Sequence, residues 1–248
     1  MKLLTLNLGY YGDRHGDWSA RQGLIAEVLR AELPDAVALQ AVAKHPDREG
    51  GLDQASQLAR LVPELGNVTY QTTARHEDGR EEGMAFLTRS PVLMSRAHLL
   101  SHLEGTEDPF KRALLHVVID EPGGPLHAYC AHFSWVEAQA LDNVTEALPQ
   151  LSWADGPVIL LGDLNQTPDS ETARRLAEAG LTDAWATLHP SEPGLTFFEG
   201  GRMAKRIDYA WLSEDLAPRL REARIVADAQ GGDLRPSDHT GLVVVLGD

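Results

Sequence analysis

The chain reads as an α/β protein in which two mixed, mostly antiparallel β-sheets pack face to face with helices outside. Three observations lead there. Amphipathic helical stretches sit near the start and the middle, at 17–33, 53–62 and 136–150. Between and after them lie many short apolar or alternating runs, several in direct succession and separated only by turn signals such as Glu77-Asp78-Gly79 and Pro122-Gly123-Gly124. No linker-like shift in composition interrupts the order, so residues 1–248 are expected to form one domain. Strands that follow one another closely pair antiparallel, and a sheet with one apolar face must bury it against another layer.

Taken in order, Lys2–Leu8 alternates as a first strand with Asn7 near its end. Asp17 is placed to cap a helix whose stripe is Leu24, Ile25, Val28 and Leu29, and Pro34 ends it. Asp35–Leu39 is the next strand, followed by Gln40, Ala41 and Val42. A polar, glycine-rich loop at 44–51 precedes the second helix. Strands are then expected at Val68–Thr73, Gly83–Thr88, Val92–Leu100, Arg112–Ile119 and Leu126–Phe133. After the helix at 136–150, the run Val158–Leu161 is bounded by Pro157 and Gly162, the mark of a strand buried on both faces. Asp169 or Ser170 can cap a short helix stopped by Gly180. Thr196–Phe198, Arg206–Leu212, Arg219–Val226 and Gly241–Leu246 are later strands.

Composition narrows the function. The formal charge is −15 at pH 7. Nucleic-acid binding draws its affinity from cations that neutralise phosphates. Tight, nonspecific nucleic-acid binding is therefore disfavoured, although a basic cleft can persist on an acidic body. No stretch of about 18 apolar residues is present, so no membrane-spanning helix is expected. Met1–Leu8 is too short and too strand-like for the apolar region of a signal peptide. The single cysteine, Cys130, reads as a small buried strand residue and cannot form an internal disulfide. A reducing, cytoplasmic setting is expected.

Polar residues stand where apolar strands begin or end. Asp163 and Asn165, two apart after Gly162, point the same way at the carboxyl end of a central strand, where open α/β sheets hold ligands. On their own they read equally as turn-capping residues. His132 shares a strand face with Cys130 and Ala128. Arg206 and Asp208 share another, and Ser237-Asp238-His239 precedes the last strand. Arg112, which opens its strand, reads alone as a solvated cation. Trp135 reads first as core or rim packing, with stacking against a base or covering a lipid or sugar group as the alternative. Carboxylates and amides without zinc-type Cys/His spacing select hard cations, Mg²⁺ or Mn²⁺, and two histidines supply proton-transfer groups.

Together these motifs resemble the endonuclease/exonuclease/phosphatase superfamily, the DNase I-like metal-dependent phosphohydrolases. The resemblance rests on Thr5-Leu6-Asn7, Asp35–Gln40, Gly83–Arg89, His132-Phe133, Gly162-Asp163-Leu164-Asn165, Arg206–Tyr209 and Ser237-Asp238-His239, in this order along nearly the whole chain. It implies a four-layer α/β sandwich with the site at one edge of the paired sheets. It also implies roles. Asp163 is the base acting on the attacking water, and Asn165 holds a phosphate oxygen. Asn7 and Asp238 lie by the metal. Asp208 and His239 form an Asp–His pair facing the phosphate. His132 assists the leaving group or binds a phosphoryl oxygen. Arg112 matches a phosphate-contacting arginine; apart from the resemblance, Lys205 and Arg206, with Arg112 and Arg89, are the best candidates in the sequence for a local phosphate-binding cation patch. One departure stands out: the family has Gln-Glu after the second strand, and that Glu is its principal metal ligand, whereas this chain has Gln40-Ala41. Either an engineered Glu→Ala change, the favoured account, or natural divergence explains it, and in both cases an impaired site is expected. The function expected is a phosphodiesterase acting on a small or lipid-like phosphoester. The alternatives are a DNA endonuclease or exonuclease and a catalytically silent phosphoester-binding protein.

Overall fold

A computed structural model describes residues 1–12, 15–228 and 234–247. The elements run β1 (Lys2–Asn7), α1 (Trp18–Glu32), β2 (Ala36–Lys44), α2 (Gln54–Leu61), β3 (Asn67–Arg75), β4 (Glu81–Thr88), β5 (Met94–Leu99), β6 (Ala113–Ile119), β7 (Leu126–His132), α3 (Glu137–Ser152), β8 (Val158–Asp163), α4 (Glu171–Glu178), β9 (Thr182–Asp183), α5 (Ala184–Leu188), β10 (Phe197–Glu199), β11 (Arg202–Lys205), β12 (Asp208–Leu212), β13 (Leu220–Val226) and β14 (Gly241–Leu246).

Two six-stranded sheets form, in the orders β13-β14-β1-β2-β4-β3 and β5-β6-β7-β8-β12-β9. Each has one parallel pair at its centre, β1 with β2 and β7 with β8, and is otherwise antiparallel. Alternation along each strand sorts side chains into three apolar layers. Leu3, Ala38, Phe86, Leu115, Cys130 and Leu161 fill the space between the sheets. Leu4, Leu6, Val37 and Leu39 turn the other way and pack under Ile25 and Leu29 of α1 and Leu58 of α2. Tyr129, Leu160 and Trp211 do the same beneath Val144 of α3 and Leu176 of α4. The four-layer sandwich expected from the sequence is the one observed.

Two helices are capped as predicted: Asp17 accepts from Ala20 N and Ser170 from Ala173 N. Asp53 caps α2 in the same way, accepting from Ser56 N. Helix α1 ends at Leu33, whose φ of 43° is left-handed, directly before Pro34. Strand β2 runs further than predicted because the register with β4 slips between Leu39 and Val42. This bulge at Gln40-Ala41 puts Ala41 at φ 51° and lets the strand continue to Lys44. The strand expected at Thr196–Phe198 pairs outside the main sheets, since β10 and β11 form a separate two-stranded ribbon. Gln40 ties the sheets together near the bulge: its amide donates to Thr5 Oγ1 at 3.0 Å and to Cys130 Sγ at 3.1 Å. Burial pushes the Cys130 thiol up to about 12, consistent with a structural residue.

Candidate active site

The site is assembled by strand register. His132, Asp163 and Asp208 are direct neighbours across three strands: His132 pairs with Asp163 in the parallel β7–β8 ladder, and Asp163 pairs with Asp208 in the antiparallel β8–β12 ladder. All three lie at the same edge of the second sheet. Gly162 makes this approach possible, because a Cβ there would lie 2.0 Å from the Ala131 carbonyl oxygen, and its φ is 142°. The facing sheet contributes Asn7 from the end of β1, and Asp238 and His239 come from the segment that leads into β14.

Asp163 is the hub, and it is almost wholly buried. Asn7 Nδ2 donates to its Oδ2 at 2.8 Å, and the Asn165 backbone N–H donates to its Oδ1 at 2.8 Å. His132 Nε2 stands 3.5 Å and His239 Nε2 3.7 Å from Oδ2. His239 is oriented from behind, since its Nδ1 is 2.9 Å from Asp208 Oδ2. Asp208 is itself held by Thr196 Oγ1, which accepts from the backbone N–H groups of Ile207 and Asp208 at 3.1 Å each. Asn165 adopts φ 54° and its amide donates to the Phe133 carbonyl at 2.9 Å.

Burial and the neighbouring Asp208 carboxylate raise Asp163 from the ordinary aspartate range to about 7. Burial alone would lower His239, but Asp208 and Asp163 outweigh it and hold the imidazolium up to about 10. His132 goes the opposite way: burial, then Arg112 and His239, press it well below its usual value, so it is neutral. The centre therefore holds a near-neutral carboxylic acid, a charged imidazole and an uncharged one within one cluster. Such divergent environments are the mark of acid–base machinery.

The donor set fits a divalent cation. One ligand atom from each of Asp163, Asp208 and His239 lies within 4.8 Å of the other two. Asp208 Oδ1 is buried with no hydrogen-bond partner. Two carboxylates crowded together with an unsatisfied oxygen are stabilised by a positive charge placed among them. Ala41 is buried beside this edge, its carbonyl accepting from Tyr10 N at 3.0 Å, and its methyl group offers no ligand. Asp238 lies near the Arg21 guanidinium and accepts from Ser237 Oγ at 3.2 Å.

The sequence-derived cations separate. Arg112 does come to the site, but buried rather than solvated: Asp108 Oδ2 accepts from its Nε at 3.0 Å and its Nη2 at 2.7 Å. Arg206 is drawn away. Its Nη1 donates to Asp183 Oδ2 at 2.6 Å and its guanidinium lies over Tyr209, in a hollow shared with Trp211. Arg89 pairs with Asp35, in a hollow with Met1 and Glu121, and Lys205 pairs with Glu199 on the exposed ribbon. Three further residues around His132 and Arg112 escaped the sequence reading. Tyr10 and Glu82 share a small recess with them, and Asp108 holds Arg112. Tyr10 sits at φ 53°, with the Glu82 carboxylate close enough to push its hydroxyl up, after burial. Glu82 Oε1 is 3.1 Å from His76 Nε2, while its buried Oε2 has no partner.

A strand-edge centre of carboxylates, amides and histidines on a four-layer sandwich defines the class of metal-assisted phosphoester hydrolases. The chain belongs to the Endonuclease/Exonuclease/phosphatase family, whose model matches residues 4–239. Members of this family hydrolyse phosphoester bonds and depend on a divalent metal. No curated protein matches the chain in sequence. Among solved structures, an endonuclease/exonuclease/phosphatase family protein from Leptotrichia buccalis superposes with TM-score 0.81 at 18% identity, covering 100% of both chains. The human Nocturnin catalytic domain with bound sulfate gives 0.73 at 20% identity, covering 98% of this chain and 92% of its own. The 3′ phosphatase NExo from Neisseria, bound to a product DNA hairpin, gives 0.72 at 17% identity over 100% of both. At these identities the likeness is one of fold.

Proposed function

We propose that this protein is a Mg²⁺- or Mn²⁺-dependent phosphodiesterase acting on a small phosphoester. The observation that supports it most is the buried row His132–Asp163–Asp208 with His239 bridging Asp208 and Asp163. Asp208, whose buried Oδ1 has no other partner, would hold the cation with Asp238 and Asn7 nearby, and the cation when bound would neutralise charge on the phosphoryl oxygens and orient the ester.

The chain's own groups do the rest. Asp163, raised to about 7, is poised to take a proton from water near neutral pH. Asn7 and the Asn165 N–H fix its two oxygens, so the accepting lone pair has one direction. His239 stays charged and, steered by Asp208, offers its Nε2–H to a phosphoryl oxygen where negative charge grows. Neutral His132, 3.5 Å from the same Asp163 oxygen, offers a hydrogen bond without adding a second cation. Arg112, anchored by Asp108, supplies a fixed positive charge for the phosphate.

This form turns over slowly in our reading, because Ala41 stands where the family places its Glu ligand, whether through an engineered change or natural divergence. Work in a reducing, cytoplasmic setting agrees with the lone buried thiol. Among the described residues no helix is long and apolar enough to cross a membrane. The test is hydrolysis of bis(4-nitrophenyl) phosphate and 4-nitrophenyl phosphate in EDTA, Mg²⁺ and Mn²⁺. Metal-dependent turnover that favours the diester supports the proposal. Tight binding of either ester with no turnover at any metal concentration would leave a phosphoester-binding protein instead.

A further inference from the structure

Trp135 is an indole left 46% exposed beside Phe110 and Arg112, which line the recess that also holds His132. Its position is built rather than incidental. The Arg112 guanidinium lies 5.3 Å from the indole centroid and 5.8 Å from that of Phe110. Phe110 meets Trp135 edge-on, with centroids 5.9 Å apart and planes at 67°. Fully buried Asp108 holds this arrangement together: Oδ1 accepts from the Phe110 backbone N–H at 3.0 Å, while Oδ2 accepts from Arg112. The Asp108 backbone carbonyl is tied in turn to His102 Nε2 at 2.8 Å, and Gln139 on α3 pins the same loop through Ser101 and Leu103. One carboxylate thus sets both the Arg112 guanidinium and the ring beside it.

From this geometry we infer that Trp135 and Phe110 are a stacking platform for a planar aromatic group attached to the phosphate, so that the substrate is a nucleoside phosphoester one or two nucleosides long. The inference rests on the phosphoesterase proposal for the same site and names its substrate class. A flat ring laid on an indole gains contact over its whole face, whatever the base. A flexible acyl chain needs a channel, and the Trp135 indole is half exposed. On the opposite flank, next to Asp238 and His239, the Phe198 ring carries Arg235 at 3.8 Å and the Phe197 ring packs on the His239 imidazole with centroids 4.8 Å apart. The net charge of −15 sets the length, since counterion release cannot drive the binding of a long polyanion to this chain.

The experiment compares a dinucleoside phosphate with glycerophosphocholine, a diester of alkyl alcohols without a planar group. Wild type, Trp135→Ala and Trp135→Phe are assayed in Mn²⁺. Isothermal titration of the dinucleoside phosphate is repeated in the Asp163→Asn background. We expect wild type to prefer the dinucleoside phosphate. Trp135→Ala should lower that preference about 5- to 150-fold, through KM rather than kcat, and Trp135→Phe should restore most of it; the range corresponds to ~1–3 kcal/mol per stacked base. The same factor should appear in Kd in the Asp163→Asn background. An unchanged preference in Trp135→Ala, an equal loss on both substrates, or no binding of the dinucleoside phosphate would overturn the inference. Turnover of neither substrate together with a Trp135-dependent Kd would sink the hydrolase proposal and leave the platform standing.

Discussion

Replacing Asp208 with Asn isolates the charge that sets the two titrations at the centre. Asn keeps the shape and an acceptor for His239 Nδ1, now 2.9 Å from the carboxylate, but removes the negative charge. In the wild type the imidazole is held up to about 10 against an ordinary value of 6.5. At about 1.36 kcal/mol per tenfold change in proton affinity, that is on the order of 5 kcal/mol of net preference for the charged form. Asp208 is the leading contributor that raises it, with Asp163 second, while burial opposes both. Without Asp208, burial faces only Asp163 and Asp238, and the His239 pKa should fall below its present value of about 10. Asp163, raised by burial and then by Asp208, should fall as well, below its present value of about 7. The assay is NMR titration of the metal-free protein, following the His239 ring nitrogens and the Asp163 carboxyl carbon. A His239 that still titrates as high as in the wild type would refute the view that Asp208 governs it, as would an Asp163 pKa that rises.

Other expectations follow from single residues. Ala41→Glu buries a carboxylate at a site only 1% exposed, which costs about 3 kcal/mol without a partner. Its Tm in EDTA should drop roughly 6–12 °C for a chain of this size, and excess Mn²⁺ should recover most of that; a drop that Mn²⁺ leaves untouched argues against a cation beside position 41. Gly162→Ala forces a Cβ against the Ala131 carbonyl at 2.0 Å, so β7 and β8 must part. The variant should lose stability and most activity together, and a crystal structure with the His132–Asp163 register intact would count against this role. His116 is lowered to about 4 by burial, then by His127, His98 and Arg96. The unfolded chain therefore binds a proton that the fold refuses, and its contribution is intact above about 6.5 and lost as pH falls toward 4. His116→Phe should flatten the fall in Tm over that window relative to wild type, and an equally steep fall would show that other groups carry it.

Much of this centre could be seen in the chain because it is written in strand ends. Gly162-Asp163-Leu164-Asn165 was readable since extended chain turns alternate residues the same way, although only the other polar strand ends set the pair apart from turn-capping residues. His132 lay on the Cys130 face for the same reason, and that face proved to be the one between the sheets. Asp17 and Ser170 were legible as caps because capping depends on three or four adjacent residues. Tyr10, Glu82 and Asp108 were not, because their roles arise from contacts between distant segments and their neighbours look like ordinary turns or strand starts. Arg206 misled because a cation beside Asp208 in sequence is satisfied in space by Asp183. The two-residue β9, the five-residue α5 and the β10–β11 ribbon are too short to show a period. The bulge at Gln40-Ala41 is invisible to alternation, since it is the point where alternation breaks.

The central claim is that Asp163 is the proton acceptor of a metal-assisted phosphoester hydrolase. Its most direct test is the rate of Mn²⁺-dependent diester hydrolysis by Asp163→Asn beside wild type at about pH 8, with folding checked by circular dichroism. Loss of a positioned base lowers turnover by about 10²–10⁴-fold, and that loss, with the fold retained, is the result expected. A folded Asp163→Asn protein that hydrolyses the diester at the wild-type rate would contradict the account.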